Sequence, residues 1–362
     1  MDKKLKTLHV DSEMSWGGGQ RQVSGLCTYL RDWGHDVKLV CRPGSKLQKW
    51  ADENGFASFP VEMKSILSVS AVLSIRSIIA RERPDIVHMH SSRAHVLGSA
   101  AARLAGIGIA LATRRNDDIV KMLWPNTDAY GRWTKAIIAI SDSVHYKLVL
   151  SGVEPSKIRV IQSGTDVDRF EHAVGDPNLR ERLGIDPSAF IICCAASLAE
   201  CKGIRYLIEA ASLVKRKVHL IIAGDGEQRD MLEALTRDKG VSASFTGFCS
   251  DMPGLLAVTD AFVMPSLAEG LGVAALEAMA AGKPVIASAV GGLRESVQDC
   301  VTGYLVPPAD PKSLADAIDK LIDDPEQARR FGEAGRARVR ENFSLENMAH
   351  KNESLYYELL GM

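Results

Sequence analysis

Apolar residues in this chain come in short runs separated by amphipathic stretches, and the alternation continues along most of its length. The first run, residues 5–10, leads into a loop holding Gly17, Gly18 and Gly19 and then a helix-like stretch over 20–33. Further runs at 37–41, 86–90, 109–113 and 136–140 alternate with helical patterns over 65–83 and 94–105. Such runs have the length of strands, and strands alternating with helices predict a parallel sheet covered on both faces. The pattern restarts at Phe190–Ala195 and continues through Val218–Ala223, 243–246, Ala261–Met264 and Val285–Ser288, which predicts a second doubly wound unit. A polar stretch around Gly175, Asp176, Pro177 and Asn178 separates the two, so the linker is placed at 170–176. From Pro325 onward the chain reads as charged helices that finish in an apolar stretch over 355–360.

Composition sharpens this picture mainly by exclusion. A chain of 362 residues is long enough for two domains, each with its own core. Its 44 Lys and Arg nearly cancel its 45 Asp and Glu, so no strong field recruits nucleic acid or an anionic membrane over a distance. The charged start, Met1 to Lys6, precedes only a short strand, with no apolar leader or small-residue cleavage site. No stretch has the apolar length of a membrane span. The expected location is the cytoplasm, with peripheral membrane contact left open. The seven cysteines contain no CxxC pair, and Cys193 and Cys194 adjoin in an apolar strand, so all are read as buried, reduced thiols.

Ligands of parallel sheets bind beyond the carboxyl ends of strands, which directs attention to the residues after each apolar run. The run Ala261–Met264 leads through Glu269, Gly270, Leu271 and Gly272 into a helix that stops near Gly282, with Pro284 beyond it. Gly270 and Gly272 leave backbone N–H groups uncovered at a helix N-terminus, where phosphate is favoured. Glu277 is placed to accept from a ribose diol and Glu269 to reach a sugar's hydroxyls, although for an isolated pair a capping Glu269 and a solvent-facing Glu277 are the better fit. Gly224 and Gly226 permit a tight turn after Val218–Ala223, near a base or ribose or as plain loop geometry. The glycine triplet lets backbone approach a ligand, without the spacing of a dinucleotide motif. His88 and His90 close an apolar run and are read as alternating in direction, with His90 the better candidate for a cleft.

The segment from Glu269 to Glu277 resembles the EX7E signature of retaining glycosyltransferases of the GT-B fold, the large family related to glycogen and sucrose synthases and to bacterial surface-polysaccharide transferases. A passage over 152–166, then Gly224 to Glu227, Gly247 with Phe248, and Gly291 and Gly292 with Glu295 follow in the same order. The resemblance implies two Rossmann-like α/β domains whose parallel sheets face a central cleft. Residues 1–170 would form the acceptor side and 171–342 the donor side, with a terminal helix over 343–362 returning to the first domain. It implies transfer of a hexose from a UDP- or GDP-sugar to a glycan or lipid-linked acceptor of bacterial lipopolysaccharide or surface-polysaccharide synthesis. It implies no cofactor or metal and no nucleic-acid partner, and peripheral contact with the inner membrane face is compatible with it. Glu277 would bind the donor ribose and Glu269 the transferred sugar, with Gly270, Leu271, Gly272 and Val273 offering backbone donors. Lys202 would neutralise the leaving diphosphate, a role suited to a point charge between a strand and a helix. Gly18, Gly19, Ser197, Gly224, Gly226 and Phe248 complete the expected donor contacts.

Three positions depart from the family pattern. Ser197 stands where many relatives carry a phosphate-binding arginine. Arg115, preceded by Arg114 and followed by Asn116, falls near the place where relatives often carry a histidine close to the reacting sugar; its guanidinium is read as a replacement charge or as a ligand for an anionic acceptor. His90, Arg114 and Asn116 are the acceptor-side candidates. Ala274 replaces a common proline. The departures keep two rivals open: an epimerase or hydrolase acting on nucleotide sugars, and a binding module that has lost catalysis.

Overall fold

The computed structural model describes residues 3–362, so Met1 and Asp2 of the charged start lie outside the described residues. The chain divides into two compact units, 3–163 with 345–362, and 164–344. The first unit opens with β1 (Lys6–Val10), α1 (Gly18–Asp32), β2 (Asp36–Cys41), α2 (Lys46–Glu53), β3 (Ala57–Pro60), α3 (Val69–Glu82) and β4 (Ile86–Met89). It continues with α4 (Ser92–Leu104), β5 (Ala110–Arg114), α5 (Asn126–Tyr130), β6 (Ala136–Ala139), α6 (Asp142–Leu150) and β7 (Ile158–Val160). The second unit runs α7 (Val167–Glu171), α8 (Leu179–Arg182), β8 (Phe190–Ala195), α9 (Ile204–Ala211), β9 (Val218–Ala223), α10 (Arg229–Lys239), β10 (Ala243–Gly247), α11 (Met252–Ala257) and β11 (Ala261–Met264). It ends with α12 (Val273–Ala280), β12 (Val285–Ser288), α13 (Leu293–Ser296), β13 (Gly303–Val306), α14 (Pro311–Asp323) and α15 (Pro325–Asn342). The chain then re-enters the first unit as α16 (Leu345–Leu360).

Both sheets are parallel, in the orders β3-β2-β1-β4-β5-β6-β7 and β10-β9-β8-β11-β12-β13. This is the doubly wound α/β architecture expected of each half. Central strands such as β4, β6, β11 and β12 are buried at every position, because helices cover both faces. Helix α1 buries Val23, Leu26, Cys27 and Leu30 at helical spacing, the stripe that faces the sheet. Helix α16 lies against α1 so closely that a Cβ on Gly25 would press on the Leu345 side chain at 2.9 Å.

Several expectations need correction. The chain leaves the first unit after Ser163, not within 170–176, and Phe170 is a buried residue of α7 in the second unit. The polar stretch used to place the linker is a surface loop of that unit, and the crossing itself has no compositional mark. The return comes at 344/345 rather than 342/343. Strands β3, β7 and β13, which the apolar pattern omits, are all edge strands, short or only partly buried. Cys201 and Cys300 are exposed and Cys249 half-buried, so only four of the seven thiols are core residues.

Candidate functional site

In each sheet the strand order reverses once, between β1 and β4 and between β8 and β11, and the crevice beyond those strand ends is the natural ligand site. The second unit places Lys202 after β8 and Glu269 after β11. Adjacent parallel strands bring the two loops together, and Lys202 Nζ donates to Glu269 Oε2 at 2.7 Å. Ser266 Oγ donates to the same oxygen at 3.3 Å. Both members of the pair are mostly buried, 21 % and 13 % exposed, so the lysine is not the lone point charge that the sequence pictured.

Backbone packing holds this pair beside the start of α12. Gly272, the residue before α12, has φ +83°, and no side chain caps the helix. A Cβ on Gly272 would overlap Leu293, and one on Gly292 would overlap the Gly270 carbonyl oxygen. Gly292 N–H donates to the Glu269 carbonyl at 3.0 Å, which ties the loop after β12 to the loop carrying Glu269. Gly270 and Leu271 are buried, Val273 is half-buried, and Glu277 on α12 is only 5 % exposed, which corrects the solvent-facing alternative. Gly224, with φ +142°, donates to the Gly247 carbonyl at 2.8 Å and leaves no room for a Cβ against Ala196. Gly226 is equally confined by the Leu198 backbone, so close loop packing explains both glycines. Ser197 and Phe248 are exposed at the ends of β8 and β10.

The first unit gathers its own group. Gly19, His90, Arg114, Arg115 and Asn116 line one cleft of about 350 Å³ together with Glu13, Gln20, Ser91, Ser92, His95, Thr113 and Tyr130. Arg114 ends β5 rather than sitting on a surface loop, and it is held by Ser92 Oγ at 3.0 Å and by the Asp118 carboxylate. Arg115 Nη1 donates to Ser163 Oγ at 3.3 Å, while its Nε is enclosed without a partner. Burial pulls the Arg115 pKa down to about 10, opposed by the Asp11 charge, and pushes Asp11 up to about 6. Helix α1 starts at Gly18, with Gly17 N–H donating to Gln20 Oε1 at 3.1 Å. None of the three glycines has a positive φ, and a Cβ on Gly18 would meet nothing within 4 Å. The fold does not require glycine there.

The histidines correct a further expectation. Residues two apart on a strand share a face, and the His88 and His90 rings lie 4.0 Å apart on the same side. His9 on β1, unnoticed in the sequence, joins them, and one nitrogen from each ring lies within 4.8 Å of the others. His9 Nε2 meets Thr7 Oγ1 at 3.1 Å and His9 Nδ1 meets His90 Nε2 at 2.9 Å. His88 bridges Tyr356 OH and Thr113 Oγ1, both at 2.7 Å. A metal ion at the cluster would have to break these bonds. Burial drives the pKa of His9 down to about 3 and those of His88 and His90 well below the ordinary value. The legible signal for His9 was a polar ring inside an apolar strand. Asp11, Gln20 and Thr113 carried none.

Residues 175–338 match the family described as Glycosyl transferases group 1, and residues 16–169 match Glycosyltransferase Family 4. The chain is 28 % identical over 99 % of its length, and 98 % of the relative's, to the Escherichia coli UDP-Gal:alpha-D-GlcNAc-diphosphoundecaprenol alpha-1,3-galactosyltransferase. It is 30 % identical to the putative glycosyltransferase EpsD of Bacillus subtilis, over 89 % of this chain and 90 % of EpsD. Its fold matches Anabaena HepE, crystallised with UDP and glucose, with a TM-score of 0.86, 21 % identity and coverage of 98 % and 100 %. With both halves matched and relatives covered over most of their length, the chain belongs to the group 1 and family 4 glycosyltransferases and has their GT-B fold, built from two Rossmann-like units.

Proposed function

We propose that this chain is a retaining hexosyltransferase that moves a sugar from a UDP- or GDP-sugar to a glycan or lipid-linked acceptor in bacterial lipopolysaccharide or cell-surface polysaccharide synthesis. The observation that carries the reading is the Lys202–Glu269 pair beside the uncapped start of α12, with Glu277 buried on the same helix. In this reading the donor diphosphate lies at the α12 N-terminus, where backbone donors and the helix dipole meet negative charge. Glu277 accepts from the ribose hydroxyls. Glu269 orients the transferred sugar, and Lys202 turns from it toward the leaving diphosphate as charge develops there. The first-unit cleft, lined by Gly19 and Arg115 among others, takes the acceptor. The sugar keeps its anomeric configuration because the acceptor hydroxyl attacks on the face that the diphosphate leaves. No metal is required, since lysine and helix dipole supply the positive charge.

The relatives support the choice of substrates: HepE was crystallised with UDP, and the E. coli enzyme uses a galactosyl donor and a diphosphate-linked acceptor. Among the described residues no helix is long and apolar enough to cross a membrane. A thermal-shift screen of UDP-, GDP-, ADP- and CMP-sugars identifies the donor. Transfer to a synthetic lipid-diphosphate N-acetylglucosamine, run with and without EDTA, then follows the new anomeric proton. Glu277→Ala is expected to abolish donor binding without unfolding the chain. Unchanged donor affinity and rate in that variant would sink the site assignment, an inverted product the retaining claim, and loss of rate in EDTA the metal-free one.

A further inference from the structure

His90 Nδ1 has no hydrogen-bond partner among the described residues, although the ring is only 4 % exposed and lines the first-unit cleft. A buried nitrogen left unmet is destabilising, and such atoms persist where a ligand meets them. Its chemistry is set behind it. Burial keeps His9 and His90 neutral at pH 7, so each ring carries one proton, and a single proton lies between His9 Nδ1 and His90 Nε2.

Two arrangements satisfy that bond. In one, His90 Nε2–H donates to His9, His9 Nε2–H donates to Thr7 Oγ1, and His90 Nδ1 is a bare lone pair. The Thr7 hydroxyl proton then has no acceptor, since among the described residues His9 is the one side-chain partner of Thr7, itself buried. In the other, Thr7 O–H donates to His9 Nε2, His9 Nδ1–H donates to His90 Nε2, and the His90 proton sits on Nδ1. This second arrangement leaves a single group unmet, the buried His90 Nδ1–H, on a ring that lines the cleft.

We propose that Thr7 and His9 are positioning residues that hold His90 as its Nδ1–H tautomer, so that His90 donates a hydrogen bond to an oxygen of the acceptor bound in this cleft. The last step rests on the acceptor-side reading above; the tautomer does not. Nitrogen-15 histidine spectra of the full chain at pH 7.5, recorded without substrate and assigned by single substitutions, read the tautomer directly. The expected result is a neutral His90 protonated at Nδ1. Thr7→Val, which keeps the shape and removes the hydroxyl, is expected to move His90 toward Nε2–H, and Thr7→Ser to keep it at Nδ1. With the lipid-diphosphate N-acetylglucosamine as acceptor, Thr7→Val should raise the acceptor KM about tenfold, the scale of one hydrogen bond. The donor KM and the melting temperature should stay as in the wild type, and Thr7→Ser should restore the acceptor KM. A wild-type His90 protonated at Nε2, or a Thr7→Val chain with unchanged His90 spectrum and acceptor KM, overturns the proposal. A wild-type chain that transfers no sugar overturns the acceptor reading separately, because the spectra need no substrate.

Discussion

Gly18 is the first residue of α1, where glycine is a poor choice for the helix and nothing in the fold excludes a side chain. Gly18→Ala should therefore stabilise the chain by about 0.4–1 kcal/mol, by reducing the freedom of the unfolded state. If the bare backbone serves a ligand, the same change lowers turnover. Chemical denaturation and the transfer assay together check this, and a stabilised variant with full activity would remove Gly18 from the site. At this scale the sequence showed residue types well and partnerships poorly. Glu269 and Lys202 are 67 positions apart, and no local pattern announces that their side chains meet. The same limit hid His9, whose importance comes from His90 just past the end of the neighbouring strand.

Elements carry the site by how their loops pack. The loop after β12 reaches back to the loop after β11 through Gly292, whose N–H holds the Glu269 carbonyl and whose missing Cβ admits Gly270. Gly292→Ala should displace the segment that carries Glu269, destabilising the chain by about 1–3 kcal/mol and weakening donor binding more than tenfold. Nucleotide titration against a melting curve tests this; wild-type affinity would show that the loop yields without moving Glu269. Central strands were legible because both faces are buried and they read as unbroken apolar runs, as in β8 and β11. Edge strands such as β3, with its half-exposed Ala57–Pro60, lack that contrast, and register with β2 defines them instead. The helix after β11 was readable at both ends because Gly272 and Gly282 each take a positive φ.

For the whole molecule, buried histidines set the acid limit. His9 and His95, lowered by burial to about 3 and about 4, join His88 and His90, also held well below the ordinary value by burial, as groups that fold neutral. Their stabilisation is complete above the unfolded pKa of about 6.5 and is lost as pH falls below it, by roughly 1.4 kcal/mol per histidine per pH unit. Asp11 acts oppositely: its raised pKa of about 6 makes its contribution increasingly unfavourable as pH rises from 3.8 to 6. Melting temperature should thus drop between pH 7 and 5, and Asp11→Asn should raise it at pH 8 but not at pH 3.5. A flat profile would mean that these rings reach water. Two units were legible from the restarted pattern, but the crossing at Ser163 was not, because a chain can leave a domain without any change in composition.

That crossing also bears on synthesis. The second unit is one uninterrupted insertion, whereas the first holds both ends of the described chain, with Tyr357 OH donating to the Lys3 carbonyl at 2.9 Å. On the ribosome, strands β1 to β7 emerge before the second unit, yet the Tyr356 hydroxyl that meets His88 emerges only after it. The first unit to be started is thus completed only after the whole second unit has been made, and its histidine core is closed only then.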